Sequence, residues 1–165
     1  ATDPELDVGA AAMLAAGAEF VLVGGFAVIA NRFVRATEDI DFLVPDDIDN
    51  DRRVLAALRQ LDAVRHRDDQ PLLDEYLLGQ THLRTKTRAG VIDIMRGGLA
   101  PLDYETVAAR AVEGSWRENP FRVASLRSIV GFKRLADRPL DRLDLEALER
   151  VNGELPVDPI PGLDS

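Results

Sequence analysis

VGGFAVIANRFVRATEDIDFLV, Val23 to Val44, is the stretch that decides how this chain folds. An apolar run from Phe20 to Val23 ends at Gly24 and Gly25, as a short buried strand ends, and Phe26 to Phe33 then has the makings of a short helix. From Thr37 the pattern alternates strictly. Thr37, Asp39, Asp41 and Leu43 point one way and Glu38, Ile40, Phe42 and Val44 the other, until Pro45 ends the strand. Residues two apart on a strand share a face, so the carboxylates of Asp39 and Asp41 project together. Held that close, they repel and raise each other's pKa unless a cation lies between them. A divalent ion that prefers oxygen, Mg²⁺ or Mn²⁺, relieves the repulsion and completes its shell with water and phosphate oxygens. Taken alone, an exposed D-x-D on the polar face of a strand is more often simply solvated, so the pair needs company to mean chemistry.

Working outward, Ala10 to Ala18 is Ala-rich, with the propensity of a helix that stops at Gly17. Arg52 to Leu61 carries Val54, Leu55, Leu58 and Leu61 at helical spacing. His66 to Gly79 reads as loop. Thr81 to Thr87 and Gly90 to Met95 read as two strands joined by a tight turn around Ala89 and Gly90. Asp103 to Val112 is helical, Gly114 to Val123 is a hairpin broken by Asn119 and Pro120, and Ser125 caps a helix running to about Asp137. A further helix spans Asp141 to Val151, and Pro156, Pro159 and Pro161 make the tail irregular. The fold class is α/β (α+β). We expect a single domain over 1–165, with a core at about 18–100, a C-terminal helical part at about 101–155 and an irregular tail at 156–165.

Composition narrows the chemistry. With 165 residues, 46% apolar and 30% charged, the chain can bury a real core. It has no cysteine, which excludes a disulfide framework, a thiolate metal site and a cysteine nucleophile, and its imidazoles are His66 and His82 alone. Any catalysis therefore runs on carboxylates. The net charge of −9 disfavours sequence-independent binding to phosphate backbones, which draws on Lys and Arg to displace counterions. No apolar run approaches the roughly 20 residues of a membrane span, and Ala1 to Asp7 lacks the regions of a secretory signal. The expected location is the cytoplasm, with no membrane partner.

Two features give Asp39 and Asp41 their company. Gly24-Gly25 permits a tight turn and close backbone approach at a helix start, where phosphate is attracted. GVIDIM, Gly90 to Met95, sets a lone Asp93 inside an apolar strand, where a third carboxylate could share a metal ion or take a proton from an attacking hydroxyl. Each alone has a plain structural explanation. Together, LVGG at Leu22 to Gly25, DID at Asp39 to Asp41 and VIDI at Val91 to Ile94 resemble the nucleotidyltransferase superfamily related to DNA polymerase β. RATEDIDFLV and SLRSIVGFKRLADRPLDRLDLEAL look like its bacterial branch of Abi-type nucleotidyltransferase toxins. The resemblance covers about Phe20 to Leu148. It departs from the pattern at Gly25, where many members carry a serine whose hydroxyl faces the phosphates.

The resemblance implies a small mixed β-sheet nucleotidyltransferase core with flanking helices. It implies an enzyme that moves a nucleoside monophosphate from a nucleoside triphosphate to an acceptor hydroxyl. Asp39, Asp41 and Asp93 are then the catalytic and metal-binding set, with Asp93 acting at the acceptor hydroxyl. Gly24, Gly25 and Lys133 contact the triphosphate, and Arg35 and Thr37 orient phosphate or the strand. The late Asp141 and Asp144 read as capping and pairing residues for Arg138 or Arg142, and Lys133 itself could equally be a solvated helix lysine beside Arg134. The acceptor implied by the toxin branch is tRNA, with an antitoxin protein as partner. The alternatives are a small-molecule acceptor of the antibiotic type and a catalytically silent module that binds a nucleotide or a protein. Three retained carboxylates speak against the silent module.

Overall fold

The structure, a computed structural model, describes residues 4–30, 38–77, 80–116 and 119–164. In chain order its elements are α1 (Leu6–Ala15), β1 (Val21–Val23), α2 (Gly24–Ala30), β2 (Asp39–Val44), α3 (Ile48–Gln60), β3 (Val64–Arg65), a 3₁₀ turn (Asp74–Tyr76), β4 (His82–Thr87), β5 (Gly90–Arg96), α4 (Tyr104–Arg110), β6 (Val112–Trp116), β7 (Asn119–Val123), α5 (Leu126–Ala136) and α6 (Pro139–Asn152). The strands form one mixed sheet in the order β3-β4-β5-β2-β1-β7-β6. β2 runs parallel to β5 and β1 parallel to β7, and the remaining neighbours are antiparallel. The mixed α/β class and the strand pairs match what the periodicity predicts. Among the described residues no helix is long and apolar enough to cross a membrane.

Several boundaries differ from the sequence expectation for local reasons. α2 begins at Gly24 itself, so the two glycines are the first residues of the helix rather than a turn before it. α3 begins at Ile48, ahead of Arg52, because the Asp47 side chain accepts hydrogen bonds from the Asp49 and Asn50 amides at 2.8 and 3.2 Å and satisfies the free end of the helix. α6 starts at Pro139, whose missing amide costs nothing in a first turn. The β6–β7 hairpin does not stay with the C-terminal helices. It joins the sheet through β7, where Leu22 pairs with Val123 and the Ala124 amide donates to the Leu22 carbonyl at 2.9 Å.

The alternation on β2 sorts the two faces of the sheet. Ile40, Phe42, Ile92 and Ile94 face one side and are almost wholly buried, each contributing about 1.5–3 kcal/mol by leaving water. α1 packs on them at Gly9, where a Cβ would lie in ordinary contact, 3.4 Å from Ile40 Cδ1 and 3.5 Å from Ile92 Cδ1. Phe20 meets Phe42 edge-on, with ring centres 4.9 Å apart. The other face carries Asp39, Asp41 and Asp93, and α5 and α6 roof part of it.

One buried ion pair ties the far end of β5 to α3. Arg96 donates from Nε and Nη2 to both oxygens of Asp51, at 2.9 and 2.8 Å, and pairs through Nη1 with the exposed Asp46 at 2.7 Å. The Asp51 carboxylate is 2% exposed and the Asp46 carboxylate 73%. Asp51→Ala strands a buried guanidinium and should cost about 3 kcal/mol or more, whereas Asp46→Ala should cost about 1 kcal/mol at most. Urea unfolding of the two variants, compared with the parent chain at unchanged m-value, reads the difference.

Candidate active site

Strand register assembles the site. Val23 on β1 lies opposite Asp41 on β2, Asp41 opposite Asp93 on β5, and Asp93 opposite Arg84 on β4. A single row across four strands therefore reads Val23, Asp41, Asp93, Arg84. Asp39 is two residues from Asp41 and His82 two from Arg84, so both share that face. The three carboxylates expected from the sequence are brought together, on adjacent strands. Gly24 follows Val23 with φ of +72°. A Cβ at Gly24 would lie 2.0 Å from Asp41 Oδ2, so the carboxylate rests against bare backbone where no other residue fits. Gly25 is buried in the first turn of α2. Arg35 and Thr37 lie outside the described residues.

The cluster is held by Arg84, which the sequence reading did not single out. Its Nη1 donates to Asp93 Oδ2 at 2.6 Å and to Asp39 Oδ2 at 3.1 Å, and its Nη2 to Asp39 Oδ1 at 3.4 Å. His82 Nε2 lies 3.2 Å from Asp93 Oδ1, an ion-pair distance off the line of a hydrogen bond, and that buried oxygen accepts none. One cation does not balance three acids. Burial, then the charges of Asp93 and Asp39, push the Asp41 carboxyl up to about 7, with a hydrogen bond to Asp93 adding to the rise and Arg84 opposing it. Burial also raises Asp93, against the pull of Arg84 and His82. The two facing acids titrate as a unit.

Among the described residues no three His, Asp or Glu side chains stand as a ready metal shell, and the Arg84 guanidinium lies between Asp39 and Asp93. The donors nevertheless fit a hard divalent cation. They are carboxylates on one face, one of them with an unbonded buried oxygen, in a cluster short of positive charge.

Lys133 is not the solvated lysine that its helix alone would allow. It is buried, with Nζ 3.1 Å from Asp141 Oδ1 and 2.9 Å from Asp144 Oδ2. Asp141 also caps α6 by accepting from the Arg138 amide at 3.0 Å and its Nε at 2.7 Å. Burial pushes the Asp141 carboxyl up, but the bonds from Arg138 and Lys133 outweigh it and hold the group at about 2. The expected Arg138 partnership is present, whereas Arg142 pairs with Asp137 instead. Lys133, Arg138 and Asp141 roof a cleft of about 200 Å³ whose floor is Val23, Gly24 and Asp41. The sequence named Arg138 only as a pairing partner for the late aspartates and His82 only as an imidazole, and neither of them, nor Arg84, as a site residue. The faint signal for the latter two was the polar alternation His82, Arg84, Lys86 along β4.

No protein-family model matches the chain, and no curated protein matches it. Solved structures do. The crystal structure of ANT(2″)-Ia in complex with adenylyl-2″-tobramycin superposes with a TM-score of 0.58 at 19% identity, covering 86% of each chain. The solution structure of the antibiotic-resistance factor ANT(2″)-Ia gives 0.60 at 18% identity, covering 90% of this chain and 85% of that one. The lincomycin-bound crystal structure of the lincosamide antibiotic adenylyltransferase LnuA gives 0.55 at 15% identity, covering 81% of this chain and 87% of that one. The chain shares the fold of these solved structures.

Proposed function

We propose that the protein is a divalent-metal-dependent nucleotidyltransferase that moves a nucleoside monophosphate from a nucleoside triphosphate to a hydroxyl of a small-molecule acceptor. The observation that carries this reading is the row Asp41–Asp93 with Asp39 beside it, set against the bare backbone of Gly24. The small-molecule acceptor takes precedence over tRNA. The fold is shared with adenylyltransferases whose structures hold an adenylylated aminoglycoside and a lincosamide, and a chain of net charge −9 is poorly suited to a polyanion.

Asp39 and Asp41, with Asp93 beside them, are the residues that would hold Mg²⁺ or Mn²⁺. Such an ion supplies charge neutralisation on the phosphate oxygens. The triphosphate would lie in the cleft between Gly24 and the Lys133–Arg138 roof, where no side chain at Gly24 stands in its way. Lys133, already shared by two carboxylates, sets the position of this roof, and Arg138, with 70% of its side chain exposed, is the freer cation for phosphate oxygens. Asp93 accepts the proton of the acceptor hydroxyl, and the burial that raises its pKa makes it a stronger base than an exposed carboxylate.

Two outcomes test the reading. Asp93→Asn should keep triphosphate binding, measured by calorimetry with a nonhydrolysable analogue and Mg²⁺, and lose transfer by roughly 100-fold or more. Asp39→Asn should weaken both. Transfer at the parent rate in Asp93→Asn would contradict the assignment of the base.

The second outcome follows from Asp41. Its folded pKa of about 7 lies above the ordinary 3.8, so the protonated carboxyl favours the metal-free fold. That stability is fully present below about pH 4 and is lost as pH rises through 7. Mg²⁺ needs the carboxylate, so its stabilising effect should be small at pH 5 and large at pH 8. Thermal melts of parent and Asp41→Ala should show the metal response only in the parent. A variant that responds equally would remove Asp41 from the metal set.

A further inference from the structure

A second cleft, of about 470 Å³, opens on the other side of Asp93. Its walls carry Arg65, Arg67 and Arg84 with His66 and His82, against one carboxylate, Glu75. Among the lining residues themselves arginine outnumbers carboxylate, in a chain with 29 acidic and 20 basic residues. Part of that positive charge is neutralised: Arg65 is gripped at both ends of its guanidinium by Asp68, and Arg84 by Asp39 and Asp93. Arg67 lies exposed at the rim, and His66 is held in place by its backbone amide, which donates to the Arg84 carbonyl at 3.0 Å.

The position of the cleft gives it a role. From one side to the other, the face reads Gly24, Asp41, Asp93, Arg84 and then the basic cleft. With a triphosphate on the Gly24 side, a hydroxyl that gives its proton to Asp93 belongs to a molecule reaching in from the Arg84 side. His82 and Arg84 are common to the cleft and to the carboxylate cluster, so such a molecule touches both at once.

We propose that this cleft is the acceptor subsite, and that the acceptor is a small hydroxylated anion whose phosphate or carboxylate lies among Arg67, His66 and His82. The proposal rests on the nucleotidyltransferase reading and names its acceptor class. In the transfer the acceptor O–H bond breaks and its proton passes to Asp93. A new O–P bond forms at the α-phosphorus, and the bond from that phosphorus to pyrophosphate breaks. A polycation such as an aminoglycoside would meet repulsion here, and a cleft of this size takes a single sugar-sized unit rather than a folded RNA.

Calorimetric titration with ribose 5-phosphate against ribose, and with glucuronate against glucose, tests the site without any turnover and separates phosphate from carboxylate. The parent chain should bind at least one of the two anions about tenfold more tightly than its neutral partner, the usual scale of one charge-assisted contact. Arg67→Glu, an exposed position whose change spares the fold, should erase that preference, and His66→Gln should reduce it. Equal affinity for anion and neutral sugar, or an unchanged preference in Arg67→Glu, overturns the proposal. Incubation with labelled nucleoside triphosphates, Mg²⁺ and each of ribose 5-phosphate, glucuronate, tobramycin and tRNA completes the test. Label in tobramycin or tRNA, and in neither anion, overturns the acceptor class while the enzyme reading stands. Label in nothing, with the anion still bound, overturns the enzyme reading and the acceptor role together.

Discussion

Asp41 and Asp93 face each other across two parallel strands, and the rest of the site is arranged around that repulsion. The pairing is imposed by the apolar side of the sheet, because Ile40 and Phe42 on β2 and Ile92 and Ile94 on β5 must be buried together. A slip of one residue would turn the isoleucines to solvent and the aspartates into the core, so the hydrophobic register holds the acids in place. The energy that keeps like charges together is supplied on the opposite face from the charges themselves.

What remains is charge management, and the protein solves it with side chains of different freedom. Arg84 reaches Asp39 and Asp93 from β4 and has 39% of its side chain exposed. Lys133, by contrast, is fixed between Asp141 and Asp144 at the joint of α5 and α6, and a buried pair of that kind is costly to break. A half-exposed cation therefore stands beside the carboxylates, and a buried one sets the height of the roof above them. Chemistry at Asp41 can change its cation without disturbing the helices that define the cleft.

The D-x-D alternation and the lone acid in GVIDIM were legible because each is a local pattern of period two inside an apolar run. That they stand in one row was not. It depends on which strands pair and in what register across some fifty residues, and periodicity carries no such information. Arg84 and His82 were hidden for the same reason: a polar strand face is ordinary until its neighbour is known to be Asp93. For Lys133 the sequence left two readings, a triphosphate contact and a solvated helix lysine, and burial removes only the second. Its helix looked amphipathic with the lysine on the wet side, and only the packing of α6 buries it. Arg138 entered through a cap, since its place in the cleft follows from its hydrogen bonds to Asp141.

The face also divides a substrate pair by charge. On the Gly24 side the floor is backbone and one aspartate and the cations hang from the roof, which would suit the phosphates of the proposed nucleotide. On the Arg84 side three arginines line the walls, two of them paired with Asp68, Asp39 and Asp93 and the third, Arg67, exposed at the rim. Asp93 lies between them, paired in register with Asp41 of the first cleft and bonded to Arg84 of the second, and it is 4% exposed. On the proposed reading, a base at that position, rather than within either cleft, would let the two reactants bind independently and meet at a single atom.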